Sequence, residues 1–232
     1  MVTVCYHLLN GLTSDLKDLK KVRRDGTFVS FAEYRFAVKA RLNLLPTKAV
    51  VKRADTPQLD VTCPKCKSQP ETLGHILNAC TPNVGLMRER HNAVLQWLVK
   101  ATPESLGEKF VEQKIKDSPG CLRPDLVIWH KEEKAVSIVD VTIPFEGTED
   151  AFEKVRDEKV SKYQPLIEWL KTKGYDNVFL QAFVLGSLGS WDNDNETVLK
   201  KLNIGPKYAN LFRKLCAVDS IKGSLTIWKA KG

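Results

Sequence analysis

Arg123-Pro124-Asp125-Leu126-Val127-Ile128-Trp129 and Val136-Ser137-Ile138-Val139-Asp140-Val141-Thr142 decide the fold of this chain. Each is a short run rich in branched and large apolar side chains, the pattern of a buried strand. Between them lies Lys131-Glu132-Glu133-Lys134, a polar tetrapeptide suited to a hairpin loop. A loop that pairs residue 130 with residue 135 sets residue 125 opposite residue 140. The two Asp side chains then share one face, with Cβ atoms roughly 5 Å apart. Carboxylates that close repel unless a cation sits between them. A divalent metal is the natural occupant, and oxygen ligands suit Mg²⁺ or Mn²⁺.

The next stretch supplies positive charge. Residues 149–163 read as a helix with Phe152, Val155 and Tyr163 on one stripe. Lys159 lies on that stripe and Lys162 beside it. A lysine on an apolar face either snorkels at an edge or points at an anion. Two carboxylates, a metal and a lysine together are what phosphodiester hydrolysis needs. Taken singly, Asp140 also reads as a strand cap and Lys159 as a solvated side chain.

Arg123-Pro124-Asp125, then Asp140 fifteen residues on within Asp-Val-Thr-x-Pro-Phe-Glu, then Lys159-x-x-Lys162-Tyr163, resembles the restriction-like endonuclease of site-specific non-LTR retrotransposons. That domain belongs to the PD-(D/E)xK nuclease class. The wider class places its lysine two residues after the second acid, where this chain has Thr142. The retrotransposon branch places it on the following helix, which fits Lys159 or Lys162. The resemblance implies an α/β fold with an α-β-β-α-β nuclease core. It implies Asp125 and Asp140 as ligands of Mg²⁺ or Mn²⁺. Lys159, with Lys162 as understudy, would orient the attacking water or stabilise the phosphate. Tyr163 would position the lysines or the backbone phosphate, and Arg123 would touch DNA.

The implied reaction nicks one strand of double-stranded DNA and leaves a 3′-hydroxyl to prime reverse transcription, in the nucleus. The implied context is a polyprotein with a reverse transcriptase domain, and retrotransposon RNA is a further candidate partner. No Tyr-x-Asp-Asp polymerase motif occurs in this chain. The competing expectation is a non-catalytic, zinc-dependent nucleic-acid-binding module that keeps the nuclease fold.

Upstream, Cys63-Pro64-Lys65-Cys66 is followed by His75 and Cys80. Three thiolates and an imidazole make a closed tetrahedral Zn²⁺ site, and Thr72-Leu73-Gly74-His75 begins a short helix that offers the histidine. The same Cys-Cys-His-Cys order occurs in the retrotransposon family. Lys65 and Lys67 are candidate nucleic-acid contacts on this knuckle. Arg41-Leu42-Asn43-Leu44-Leu45-Pro46-Thr47 resembles the family's segment just ahead of the knuckle, and adds Arg41 to those contacts. His91 reads either as a fifth metal candidate or as a structural or phosphate-contacting histidine.

Charge divides the chain. Residues 1–100 carry 16 basic and 8 acidic side chains, and residues 101–232 carry 20 of each, so the net +8 lies in the front. A polyanion-binding front and a balanced back are expected. The chain has 232 residues, 43% of them hydrophobic, which is enough for a packed core. No apolar run reaches membrane-span length, no membrane partner is expected, and the opening residues lack a signal-peptide pattern. The six cysteines then belong to a reducing compartment.

The expected divisions are a basic helical linker region at 1–60, the knuckle with its following helix at 61–100, and the nuclease at 101–232. Helices are expected at 13–24, 28–45, 86–100, 104–116, 196–202 and 207–217, with 48–60 as linker. In the second of these, Phe28, Phe31, Phe36, Val38 and Leu42 are the candidate core, and Pro46 the stop. Val94, Leu95 and Leu98 should point inward. Residues 104–116 would open the nuclease core, with Glu112 as a solvated residue or a metal neighbour. Gln164-Pro165 should break or kink the long helix. Strands are expected at 178–185 and 224–229. Gly186-Ser187-Leu188-Gly189 reads as a turn, or as a loop for close approach to a phosphate.

Overall fold

The computed structural model describes residues 29–55, 60–130 and 134–231. The expected helix at 13–24, Phe28 and most of the hairpin loop lie outside these residues. Strands β1 (Gly107–Val111), β2 (Leu126–His130), β3 (Ala135–Thr142) and β4 (Asn177–Val184) form one mixed sheet in the order β1-β2-β3-β4. β1, β2 and β3 are antiparallel neighbours, and β4 runs parallel to β3. Leu126 pairs with Val139 and Trp129 with Val136. Continued outward by one residue, this register sets Asp125 against Asp140, as the polar loop implied.

Alternation sorts the strand side chains onto two faces. Leu126, Ile128, Val139 and Val141 enter one core, and Val127, Val136 and Ile138 another. Asp125 and Asp140 fall on the second face. The chain carries seven named helices among the described residues: α1 (Phe31–Arg41), α2 (Lys48–Asp55), α3 (Leu73–Asn78), α4 (Val84–Ala101), α5 (Ala151–Thr172), α6 (Asn195–Lys201) and α7 (Pro206–Lys229). Parallel strands need a crossover, and α5 provides it between β3 and β4. It lays Tyr163, Leu166 and Leu170 on the second face. Val94, Leu95 and Leu98 of α4, with Phe212 and Cys216 of α7, cover the first.

A third core joins Phe36, Ala37, Ala40, Leu73, Ile76 and Leu77 to Leu188, Ile221 and Ile227. Residues on both sides of the expected divisions near 60 and 100 therefore pack together. Each buried Leu or Ile here is worth roughly 1.5–3 kcal/mol of burial, so this core ties the front of the chain to the end of α7.

Several expectations are corrected. Residues 104–116 are not a helix: a 3₁₀ turn at Glu104–Leu106 leads into β1. Phe110 pairs with Val127 and Val111 with Leu126. Helix propensities differ by under about 0.7 kcal/mol per residue, too little to outweigh a ladder against β2. A Cβ at Gly107 would lie 2.0 Å from the Trp129 carbonyl oxygen, so only glycine lets β1 approach. Glu112 is exposed at φ +50°, on the solvated reading. The sheet gains one strand over the α-β-β-α-β expectation.

Residues 48–55 form α2 rather than linker, because the Thr47 hydroxyl accepts from Val50 N (3.2 Å) and caps the helix. α1 is shorter than expected. Ser30 and Glu33 close a capping box at its start, and it ends at Arg41 before Asn43 at φ +54° rather than at Pro46. Its buried face is Phe36, Ala37 and Ala40, while Phe31 and Leu42 stay exposed. Pro165 sits inside an unbroken α5. Residues 224–229 continue α7 instead of forming a strand, because Ser224 and Ile227 are buried against the rest of the protein.

Candidate functional site

The knuckle is built from two short pieces. The bridge Thr62–Pro70 closes a loop that holds Cys63 and Cys66. The Thr72 hydroxyl caps α3 by accepting from His75 N (3.1 Å), which fixes where the imidazole projects. The donor atoms of Cys63, Cys66, His75 and Cys80 all lie within 4.8 Å of one another. Cys63 Sγ is 3.8 Å from Cys80 Sγ, and Cys66 Sγ is 3.3 Å from His75 Nε2. Thiolates about 2.3 Å from a tetrahedral centre lie about 3.8 Å apart, so this Cys₃His cluster can hold zinc. His75 Nδ1 faces Gln69 Oε1 (3.2 Å), which leaves Nε2 for a metal. The Ser68 hydroxyl donates to Cys66 and pulls its thiol down to about 6, whereas burial pushes Cys80 up to about 12.

The second constellation is a cleft of about 280 Å³ at the end of β2 and β3. Asp125, Asp140, Lys159, Lys162, Tyr163, Arg123, Thr142, His91 and Arg90 all line it. Asp140 is only 2% exposed. Its Oδ1 accepts from the Tyr163 hydroxyl (2.6 Å). Its Oδ2 lies 2.5 Å from Lys159 Nζ as an ion pair, off the angles of a hydrogen bond, and has no hydrogen-bond partner. Burial, reinforced by the Asp140 carboxylate, raises the Tyr163 phenol well above its usual value and keeps it a donor. Lys162 donates to the Tyr163 oxygen (3.0 Å) and lies over its ring. Both lysines therefore reach the cleft, but only Lys159 reaches a carboxylate.

Asp125 is held from the other side. Its Oδ2 accepts from Val141 N (2.7 Å) and lies 3.0 Å from His91 Nε2. Burial pulls the His91 pKa down, but the hydrogen bond and charge of Asp125, with help from Asn92 and the Val141 carbonyl, outweigh it and raise the pKa overall. His91 thus belongs to the cleft and not to the knuckle, on the structural or phosphate-contacting reading rather than that of a fifth metal ligand. Arg90 beside it also lines the cleft and is not among the residues expected there. The available signal was a stripe at helical spacing, Met87, Arg90, His91 and Val94, in which a charge interrupts an apolar face.

The candidate nucleic-acid contacts divide. Lys67 and Arg123 are exposed, although Arg123 donates through Nη2 to the Glu112 carbonyl (2.7 Å). Lys65 is engaged inside the protein, donating to Asn83 Oδ1 (2.5 Å) and the Ala230 carbonyl (2.6 Å). Arg41 donates to the Leu188 carbonyl (2.9 Å). Lys65 fastens the knuckle to the end of α7, and Arg41 fastens the end of α1 to the 186–190 loop.

That loop already holds an anion. The Glu146 carboxylate accepts from Leu188 N (2.9 Å), Ser190 N (3.2 Å) and the Ser187 hydroxyl (3.1 Å). A Cβ at Gly186 would lie 2.1 Å from Glu146 Oε1. The glycine thus makes room for an internal carboxylate rather than for a phosphate.

The fold and these two constellations define a mixed α/β protein with a Cys₃His cluster and a cleft that brings two carboxylates together with lysines and arginines. No protein-family model matches the chain. Over 210 residues, 89% of its length, it is 27% identical to the retrovirus-related Pol polyprotein from type-1 retrotransposable element R2 of Popillia japonica, of which it covers 41%. Over 201 residues, 85% of its length, it is 24% identical to the Pol polyprotein from type-2 retrotransposable element R2DM of Drosophila melanogaster, of which it covers 18%. The chain therefore spans less than half the length of either relative. No helix among the described residues is long and apolar enough to cross a membrane.

Proposed function

We propose that this chain is the DNA-nicking part of an R2-like retrotransposon polyprotein, a metal-dependent endonuclease of the PD-(D/E)xK class. The observation that carries this reading is the register of β2 and β3, which places Asp125 and Asp140 together in a cleft that also receives Lys159. The similarity to R2 polyproteins over most of the chain supports it. Asp140 Oδ2 is buried without a hydrogen bond, and hard oxygen donors of this kind suit Mg²⁺ or Mn²⁺. An ion held by Asp125 and Asp140 would lower the pKa of water and offset phosphate charge.

The protein's own groups do the rest. Tyr163 fixes one oxygen of Asp140, and Val141 N with His91 fixes one oxygen of Asp125, so both acids are pre-oriented. The Lys159 ammonium stands where charge develops on a phosphate next to Asp140, the arrangement that gains most in a desolvated site. Lys162 and Arg123 at the rim, with Lys67 on the knuckle, are the cations left to meet the backbone of double-stranded DNA. Zinc in the knuckle is structural in this account, because four protein ligands leave it no open position. The nick would prime reverse transcription by a fused reverse transcriptase on retrotransposon RNA, in the nucleus.

The test is the product. A plasmid nicked by the native chain with Mn²⁺ should be extended by an added DNA polymerase, which requires a 3′-hydroxyl. A nick that polymerase extends only after phosphatase treatment would count against this mechanism.

A further inference from the structure

Arg90 is a buried charge with no ion-pair partner among the described residues, and the Glu146 carboxylate acts on it only at longer range. It is 4% exposed and lines the cleft. Nη1 donates to the Ser224 hydroxyl (2.7 Å), which donates onward to the Ser187 carbonyl (2.6 Å). Nε is buried with no partner. The stem lies against α7 at Gly223, where an added Cβ would come within 2.7 Å of Arg90 Cβ and Cγ. The fold thus keeps a slot in α7 for this side chain. Burial draws its pKa down to about 10, with Glu146 acting in the opposite sense, so the guanidinium stays charged at neutral pH.

Buried charges are normally paired, because an uncompensated one costs several kcal/mol. A protein that holds an arginine this way, in a cleft that Asp125 and Asp140 also line, has prepared it for an external anion. A free carboxylate ligand would meet Asp125 and Asp140 directly, whereas a phosphodiester can span a metal at the acids and a guanidinium beside them. We propose that Arg90 is a phosphate-binding residue of the cleft, giving its free guanidinium edge to a non-bridging oxygen of the DNA substrate; this rests on the nuclease reading for the identity of that substrate.

The test uses the zinc-loaded full chain and three readouts: melting temperature with and without inorganic phosphate, affinity for a short DNA duplex in Ca²⁺, and plasmid nicking. Arg90→Met keeps the volume and removes the unpaired charge. In phosphate-free buffer it should melt no lower than the native chain, since a buried lone charge is replaced by an apolar side chain. It should lose the phosphate-dependent rise in melting temperature and bind the duplex roughly tenfold more weakly, the size expected for one charge-assisted contact. A lower melting point with unchanged phosphate response and affinity would overturn the proposal and make Arg90 a structural residue. If Arg90→Met does not fold, Arg90→Lys decides. A reduced phosphate response supports the proposal, and a response equal to native overturns it. If the native chain fails to nick plasmid while its phosphate response still depends on Arg90, the nuclease reading falls and the phosphate site stands. Nicking by Arg90→Met with native phosphate response and affinity removes Arg90 alone.

Discussion

The knuckle and the cleft gather polar ligands in opposite ways. In the knuckle, three sulfurs and a nitrogen converge within 4.8 Å with no protein cation between them. In the cleft, each carboxylate already has a protein partner, His91 for Asp125 and Lys159 for Asp140. The first arrangement is one that a metal ion can complete. In the second, the fold itself supplies a partner for each acid, so it is expected to stay folded with or without an ion. On the proposed function, the first is a closed site that builds structure and the second an open site that does chemistry. The two are also joined. Gly74 in α3 packs on Phe145, and Asn78 Nδ2 donates to the Ile143 carbonyl (2.5 Å), in the segment that follows Asp140.

The largest effect should come from breaking the knuckle. Structural zinc contributes on the order of 10 kcal/mol in small domains. Cys66→Ser, or chelation, should loosen α3 and, through the shared core, the end of α7. Hydrogen exchange should show lost protection in both places. Adding or removing Mg²⁺ should leave protection there unchanged, and an Mg²⁺ effect of similar size would erase the contrast between the two sites.

Next is Lys159→Ala, which should lower nicking by about 10²–10³-fold, the usual cost of one transition-state contact. Duplex affinity should barely move. A larger loss in Lys162→Ala would keep the helix and transfer the role to its neighbour. Tyr163→Phe removes the donor to Asp140 Oδ1 and should cost about 1.5–3 kcal/mol of stability, as for a hydrogen bond to a charged group. Chemical denaturation of the two proteins at pH 7 measures it.

The smallest effect is a pH dependence. The folded-state pKa of His91 is raised by Asp125, so its pairing stabilises the protein fully below the unfolded value of about 6.5 and fades as pH rises through the folded value. The stability difference between the native chain and His91→Gln should therefore shrink from pH 6 upward. The pair is partly exposed, so about 1 kcal/mol or less is expected. A difference that grows with pH would contradict the assigned pairing.

Legibility in the sequence followed the range of the interactions. The knuckle was readable because its chemistry is local: ligand type and spacing suffice. The β2–β3 register was readable because a polar tetrapeptide between two apolar runs fixes it. β1 was not, because Glu108-Lys109-Phe110-Val111 becomes a strand only when β2 is there to pair with it. α2 was not legible from apolar periodicity because its start rests on the Thr47 cap. The residues 224–229 looked extended because Thr226 and Ile227 are β-branched, and the burial of Ser224 and Ile227 against distant elements keeps the segment helical. Arg90 and the pairing of His91 escaped for the same reason. The partners of His91 and Arg90, Asp125 and Ser224, lie 34 and 134 residues away. Lys65 and Arg41 looked like free basic groups, and their acceptors are equally remote.

The measurement closest to the central claim is nicking of supercoiled plasmid in Mn²⁺ by the zinc-loaded native chain and by Asp140→Asn, each first shown to melt cooperatively. The account predicts open circles from the native chain and none above background from Asp140→Asn. Equal nicking by the two folded proteins would contradict it.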